Sequence, residues 1–388
     1  DIVINHIDGK SSWCSFYEQD FGEYGKFQVD GSYICRGDEM NTDPSAGSCK
    51  NHATGPNDDG YAGEANYGAA RDLAHDSEVV REMCRAYTKW MINEMQYDGF
   101  RYDYCKGYHM SHVSDYNTYS GAKFSVMEYW DGNADNLCER IADAYENSLA
   151  FDFSLKYNAL NDGICAYNYS KCKAPGLLGK GKSKWAVTFV DNHDTHDRSD
   201  SEFGGQGNSM SSTLKDRLLQ ANAFILSMPG VPCVYYPHWK KYGTEIKAMI
   251  TARKMAGVHS ESHVSDEADN SGYRAYVTGS KAKLVIELGN RVSTSRSGYT
   301  KMASGNGYAM WVENTDAVKP ELDIHPNSMT YRTETLTVTM SAMGGLNGTP
   351  SIYYTLDGTD PRTSATRKTY TTAITITGTV TLKACAVS

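Results

Sequence analysis

Three acidic side chains stand just past three short apolar runs that are far apart in the chain. Asp103 closes Gly-Phe-Arg-Tyr-Asp, Glu128 closes Phe-Ser-Val-Met-Glu, and Asp194 ends Phe-Val-Asp-Asn-His-Asp. Two carboxyl groups flanking one bond, one ionised and one protonated, are what cleavage of a glycosidic bond needs. Arg101 lies two residues before Asp103, so in a strand the two side chains share a face. A guanidinium beside Asp103 keeps that carboxylate ionised, as a carboxylate nucleophile requires. Met127, Tyr129 and Trp130 put apolar bulk around Glu128, which favours its protonated form. A structural ion pair at a strand end is the bland reading of Arg101–Asp103 taken alone. Three acids at three strand ends weigh against it.

The elements that would carry these acids alternate strand and helix up to about Ser260, the pattern of an α/β fold with a parallel sheet. The sequence predicts strands over Ile2–Ile4, Gly99–Tyr102, Phe124–Met127, Ala150–Phe153, Ala186–Val190 and Val231–Tyr236. Apolar residues at 80, 83, 84, 87, 90, 91 and 95 predict a helix between Ser77 and Met95. Further helices are expected over Asn136–Asn147, Thr213–Met228 and Gly243–Gly257. In a (β/α)8 barrel the strand C-termini converge on one face, where side chains distant in sequence meet. From Gly272 the texture becomes β, with strands expected at Tyr273–Val277, Lys283–Leu288, Val292–Ser295, Thr300–Ala303 and Tyr308–Val312. Residues 315–326 carry two Pro and no periodicity and read as a linker. Beyond them, Leu336–Met340, Ser351–Leu356, Ala373–Thr377 and Val380–Val387 suggest an all-β sandwich.

The chain has 388 residues, 40% apolar and 22% charged, with a formal net charge of −9. That length suits one large domain with an appendage. The negative charge argues against a nucleic-acid partner, and no apolar run reaches the roughly 18 residues of a membrane span. The ten Cys form no paired C-x-x-C pattern, which argues against structural zinc. Cys14, Cys35, Cys49, Cys165 and Cys172 sit in loops where disulfides could form, whereas Cys84 and Cys233 lie on apolar runs and read as core. Among the 28 Tyr, Tyr24, Tyr108 and Tyr129, with Trp13 and Trp130, fall in loops of the expected active face. Their rings could stack on sugars.

The chain resembles the α-amylases of the large retaining glycoside hydrolase family, and their plant-type members most. Asp1–His6, Gly99–Tyr108, Glu128 with its flanks, and Phe189–Thr195 resemble that family's four motif regions in order. The likeness covers roughly residues 1–314. It implies Asp103 as nucleophile, Glu128 as general acid/base and Asp194 as the residue that stabilises the transition state. It further implies that His6, Arg101, Lys106, Tyr108, Trp130 and His193 bind substrate. A structural Ca2+ would be held by Asn5, Asp59, Asp72 and the Gly107 carbonyl, Asp59 ranking just above Asp58. Calcium takes six to eight oxygen ligands of these kinds. The segment Tyr353–Pro361 with Thr381–Ala384 is similar to the C-terminal β-sandwich module of chitobiases.

The fold implied is a (β/α)8 barrel over residues 1–262, with a calcium-binding long loop at 8–71. An antiparallel sheet follows over 263–314, then the linker at 315–326 and the chitobiase-like module at 327–388. The family's first two strand–helix units would precede Asp1. The chain alone is therefore expected to be poorly stable or inactive, because an open barrel exposes sheet edges. The function implied is endo-hydrolysis of α-1,4-glucosidic bonds in starch, glycogen and maltooligosaccharides. The enzyme is expected to be monomeric and secreted, at the cell surface or periplasmic. The alternatives are a related α-glucan oligosaccharide hydrolase or transglycosylase, and a non-catalytic starch-binding protein.

Overall fold

A computed structural model of the chain describes residues 1–7, 16–36, 60–61, 72–196, 217–326, 329–344 and 349–387. It divides into two compact units, Asp1–Tyr157 with Pro175–Thr188 and Asn158–Ala174 with Phe189–Ser388. Among the described residues, no helix is long and apolar enough to cross a membrane.

In the first unit two short strands, β1 (Gln19–Asp20) and β2 (Lys26–Phe27), form a small antiparallel ribbon. Four parallel strands follow in order, β3 (Gly99–Tyr102), β4 (Phe124–Met127), β5 (Leu149–Phe151) and β6 (Ala186–Phe189). Helices α1 (Glu78–Asn93), α2 (Ser111–Ser120) and α3 (Ala134–Asp143) lie before β3, β4 and β5. β6 is buried along its whole length, as parallel strands covered on both faces are. β3 alternates, with Phe100 and Tyr102 buried and Arg101 less so. α1 buries Val80, Met83, Cys84 and Ala86 on one stripe, and the bidentate pair Arg85–Asp115, 2.9 Å at each contact, ties it to α2. Gly121, at φ +76°, ends α2 in the left-handed conformation that glycine tolerates best. The predicted strand Ile2–Ile4 is reduced to a single bridge between Ile2 and Tyr102. It still anchors the segment, because Ile2 N–H donates to Arg101 O at 2.9 Å and Asp103 N–H to Ile2 O at 3.1 Å.

The second unit holds α4 (Leu218–Ser227), β7 (Val231–Cys233) and α5 (Tyr236–Ala256). α5 is kinked at Tyr242, which is why the periodicity read from the sequence starts only at Gly243. Cys233, read as core, is exposed, whereas Cys84 is buried as expected. An antiparallel sheet follows in the order β11 (Tyr299–Gly305), β12 (Tyr308–Glu313), β10 (Lys283–Gly289), β9 (Gly272–Thr278), β8 (His263–Ala268). The strand expected at Val292–Ser295 is irregular instead, with a bend at Thr294. β8 was not foreseen, since its side chains alternate between half-buried and exposed with few large apolar residues.

Two three-stranded sheets end the chain. β13 (Glu321–His325), β14 (Leu336–Met343) and β17 (Ile374–Ile376) form one; β16 (Lys368–Thr369), β15 (Ser351–Thr355) and β18 (Lys383–Val387) form the other. Val338, Met340 and Ile352 make their shared apolar cluster. The linker expected at 315–326 is thereby corrected. Its second half is β13, paired antiparallel with β14 from Glu321↔Met343 to His325↔Thr339.

Candidate active site

β3 and β4 end side by side, and their register sets Tyr102 beside Met127. Asp103 and Glu128 are the next residue on each strand. Arg101 reaches both: Nη1 is 2.6 Å from Asp103 Oδ1, and Nη2 is 2.5 Å from Glu128 Oε1. Glu128 is 7% exposed, and its Oε2 also accepts the backbone N–H of Tyr104 at 3.2 Å. Tyr104 sits at φ +46°, a left-handed conformation that costs a non-glycine residue of order 1–3 kcal/mol. Its N–H is aimed at the carboxylate in that posture. The two acids thus share one guanidinium, whereas the sequence assigned Arg101 to Asp103 alone. Tyr129 packs edge-on to Tyr61 at 5.5 Å, and Met127 is in the core.

His6 is half-buried, and burial pushes its imidazole below the ordinary value against the opposing pull of the Asp103 carboxylate. A neutral imidazole donates a hydrogen bond at one ring nitrogen and accepts at the other. Lys106 Nζ lies 5.6 Å over the Tyr129 ring. Trp130 stacks on Phe153 at 4.8 Å and donates its indole N–H to the Tyr157 hydroxyl. Tyr108 corrects its expectation. It is completely buried, with its hydroxyl 3.4 Å from Asp103 O, so its ring is core under the Asp103 turn and offers no face to a sugar. Tyr104 and Tyr157 were missed, because nothing in their sequence neighbourhood distinguishes them from other Tyr.

Asp194 and His193 belong to the second unit. His193 is exposed there and Asp194 half-buried, His193 Nε2 standing 3.2 Å from Asp194 Oδ2. Their turn is braced from below. Asn192 Oδ1 accepts the N–H groups of Asp194 and Thr195 at 3.0 and 2.9 Å, and Thr195 Oγ1 donates to buried Asp191 at 3.1 Å. Asp191 in turn lies 3.3 Å from His238 Nε2. These bracing residues, Asn192 and Thr195, were in the quoted motif but had no role assigned.

Of the residues expected to hold calcium, Asn5 and Asp72 are buried and adjacent, Leu73 N–H donating to Asn5 O at 2.8 Å. Asn5 Oδ1 is a buried oxygen with no hydrogen-bond donor among the described residues, which fits a hard cation's demand for oxygen ligands. Gly107 is buried too. Asp59, Asp58 and Trp13 lie outside the described residues, and among those described no cluster of three or more His, Cys, Asp or Glu could hold a metal.

Residues 326–388 match the family described as the chitobiase/beta-hexosaminidase C-terminal domain. Upstream, the chain is similar to "Alpha-amylase type B isozyme" of Hordeum vulgare, 37% identical over 36% of this chain and 86% of the relative. The chain belongs to the α-amylase family. It is also similar to "Probable alpha-amylase 2" of Arabidopsis thaliana, 28% identical over 80% of this chain and 73% of the relative. A glucan 1,4-alpha-maltotetraohydrolase of Stutzerimonas stutzeri is 31% identical over 71% of this chain, which spans 54% of that relative's length. Among solved structures, the cyclomaltodextrin glucanotransferase CldA superposes with a TM-score of 0.54 at 16% identity, covering 80% of this chain and 74% of its own. That likeness concerns the fold. This α-amylase family chain is a glycoside hydrolase.

Proposed function

We propose that this α-amylase family chain cleaves internal α-1,4-glucosidic bonds of starch, glycogen and maltooligosaccharides with retention of configuration. The observation that carries the reading is the single guanidinium of Arg101 joined to both Asp103 and Glu128. Such sharing keeps the carboxyl groups close, which favours the ~5–5.5 Å separation of retaining enzymes over the ~6.5–9.5 Å of inverting ones. In this reading Asp103 attacks the anomeric carbon while Glu128 gives its proton to the departing glycosidic oxygen. Water then attacks the same carbon, Glu128 takes the water's proton, and the bond to Asp103 breaks. Asp194, His6 and His193 hold sugar hydroxyls, with Lys106 and Trp130 on neighbouring units.

The wider fold in this reading is the family's (β/α) barrel, followed by the antiparallel sheet and the C-terminal module. Asn5, Asp72, the Gly107 carbonyl and Asp59 hold a structural Ca2+, which supplies a cross-link between the N-terminal segment and the turn after β3. Buried Asn5 Oδ1 supports that assignment. A polymeric substrate that does not cross membranes supports action outside the cell. Glu128→Gln decides the central assignment. Hydrolysis of starch is expected to fall at least ~10³-fold, with the Kd for maltoheptaose little changed. Turnover surviving that substitution removes Glu128 from its role. A ladder of product lengths early in starch digestion supports endo action, and a single product length refutes it.

A further inference from the structure

In the second unit, Asp191 sits at the foot of the turn that carries His193 and Asp194. It is buried, as are Thr195, His238 and Asn222. The turn is stiffened locally. Asn192 N–H donates to Thr195 Oγ1 at 3.0 Å, while Asn192 Oδ1 takes the N–H groups of Asp194 and Thr195. With that N–H on its oxygen, the Thr195 hydroxyl turns its proton to Asp191 Oδ1, 3.1 Å away. Bonds of this kind fix the shape of a turn, but a stiff turn can still pivot as one body. What grips Asp191 from its far side limits that pivot.

His238, on the first turn of α5, does so, with Nε2 lying 3.3 Å from Asp191 Oδ2. Its other ring nitrogen, Nδ1, faces the side-chain amide nitrogen of Asn222, on α4, at 3.5 Å. The same amide nitrogen donates to Leu218 O at 2.8 Å, and a carbonyl accepts but never donates, so the two ends of the Asn222 amide are told apart. An amide nitrogen only donates. Nδ1 of His238 is therefore the acceptor, and Nε2 carries the N–H that points at Asp191. Tyr235 stands edge-on to the imidazole, ring centres 5.3 Å apart, and its hydroxyl lies 3.2 Å from His196 Nδ1, just past the turn. Helices α4 and α5 and the turn after β6 are thus joined through one buried carboxylate.

We infer that His238 is a positioning residue for Asp194: acting through Asp191 and Thr195, it sets the angle at which the Asp194 carboxylate meets the sugar. A charge that stabilises a transition state loses much of its effect when displaced, ~10²-fold for about 1 Å. The inference rests on the reading of Asp194 as a group that acts on the sugar. In the full chain, His238→Asn, whose amide is too short to reach Asp191, is expected to lower kcat on α-maltotriosyl fluoride at least about tenfold, with KM within about twofold. His238→Phe, which keeps a ring without its N–H, behaves alike and serves should the first variant not fold. His238→Gln places an amide nitrogen where Nε2 stands and restores most of the rate. A cycle with Asp194→Asn separates positioning from general stability, and the fluoride leaving group keeps its residual turnover measurable. Once Asp194→Asn is present, His238→Asn is expected to cost less than about twofold more. A full second loss in the double variant overturns the inference, as does His238→Gln as slow as His238→Asn, or His238→Asn as fast as the parent. Failure of the Asp194 reading shows separately, as parent-like turnover in Asp194→Asn alone, and it takes the inference with it.

Discussion

Arg101 is the only cation among the described residues in ion-pair contact with Asp103 and Glu128, so withdrawing it leaves two carboxyl groups facing each other. Arg101→Ala is expected to lower kcat on starch at least ~100-fold. Arg101→Lys recovers little, because an ammonium is a point charge that cannot span two acids. Starch turnover in Arg101→Ala close to that of the parent protein speaks against the shared-cation account. The Arg101–Asp103 pair was legible because strand side chains repeat every two residues. The Arg101–Glu128 contact was not, since it depends on the register of β3 on β4, and Tyr104 gave no sign of its left-handed backbone. Tyr108 misled for a different reason. A Tyr after a strand gives the same sequence signal whether it turns to the ligand or, as here, into the core.

Among the connecting elements, the turn after β5 hangs on one carboxyl group. Asp152 accepts the N–H of Leu155 and of Leu177, both at 2.9 Å, and is completely buried. Gly176, at φ +53°, brings the segment before Leu177 so close that a Cβ would stand 2.5 Å from both carboxyl oxygens. Burial pushes the Asp152 pKa up to about 6, the two N–H groups pulling the other way. With the folded value raised above the unfolded one of ~3.9, the neutral acid's contribution is whole below that lower value. It is lost as pH rises through about 6. The native protein is therefore expected to lose about 3 kcal/mol relative to Asp152→Asn between acid and neutral pH. Urea denaturation of both proteins across that range measures it, and a constant gap refutes the assignment. β3 and β4 matched their predicted bounds because each is a short apolar run closed by a polar residue. β13 escaped notice because Pro320 and Pro326 flank it and read as breakers, although they merely bound the strand.

For the whole molecule, the test of the proposed calcium is thermal. Chelation is expected to lower Tm, and Ca2+ at 100-fold over its Kd to restore about 2.7 kcal/mol. Asn5→Ala should lack that increment, and a Tm indifferent to chelator in the parent protein removes the ion. The large-scale succession of parallel sheet, antiparallel sheet and terminal β module was readable because each carries its own periodicity. The two-unit division was not, since it cuts the chain at residues 157–158, 174–175 and 188–189, where the sequence shows no change of texture. The antiparallel sheet of the second unit also has two outer strands, β8 and β11, each a surface on which another chain could add a strand. β8 carries Asp266 and Glu267 side by side, and β11 is interrupted by a bulge between Lys301 and Ala303. Charge guards one edge and broken register the other. Replacing Asp266 and Glu267 by Thr is thus expected to produce concentration-dependent light scattering from protein that is still folded, a colloidal failure with no loss of native structure before it.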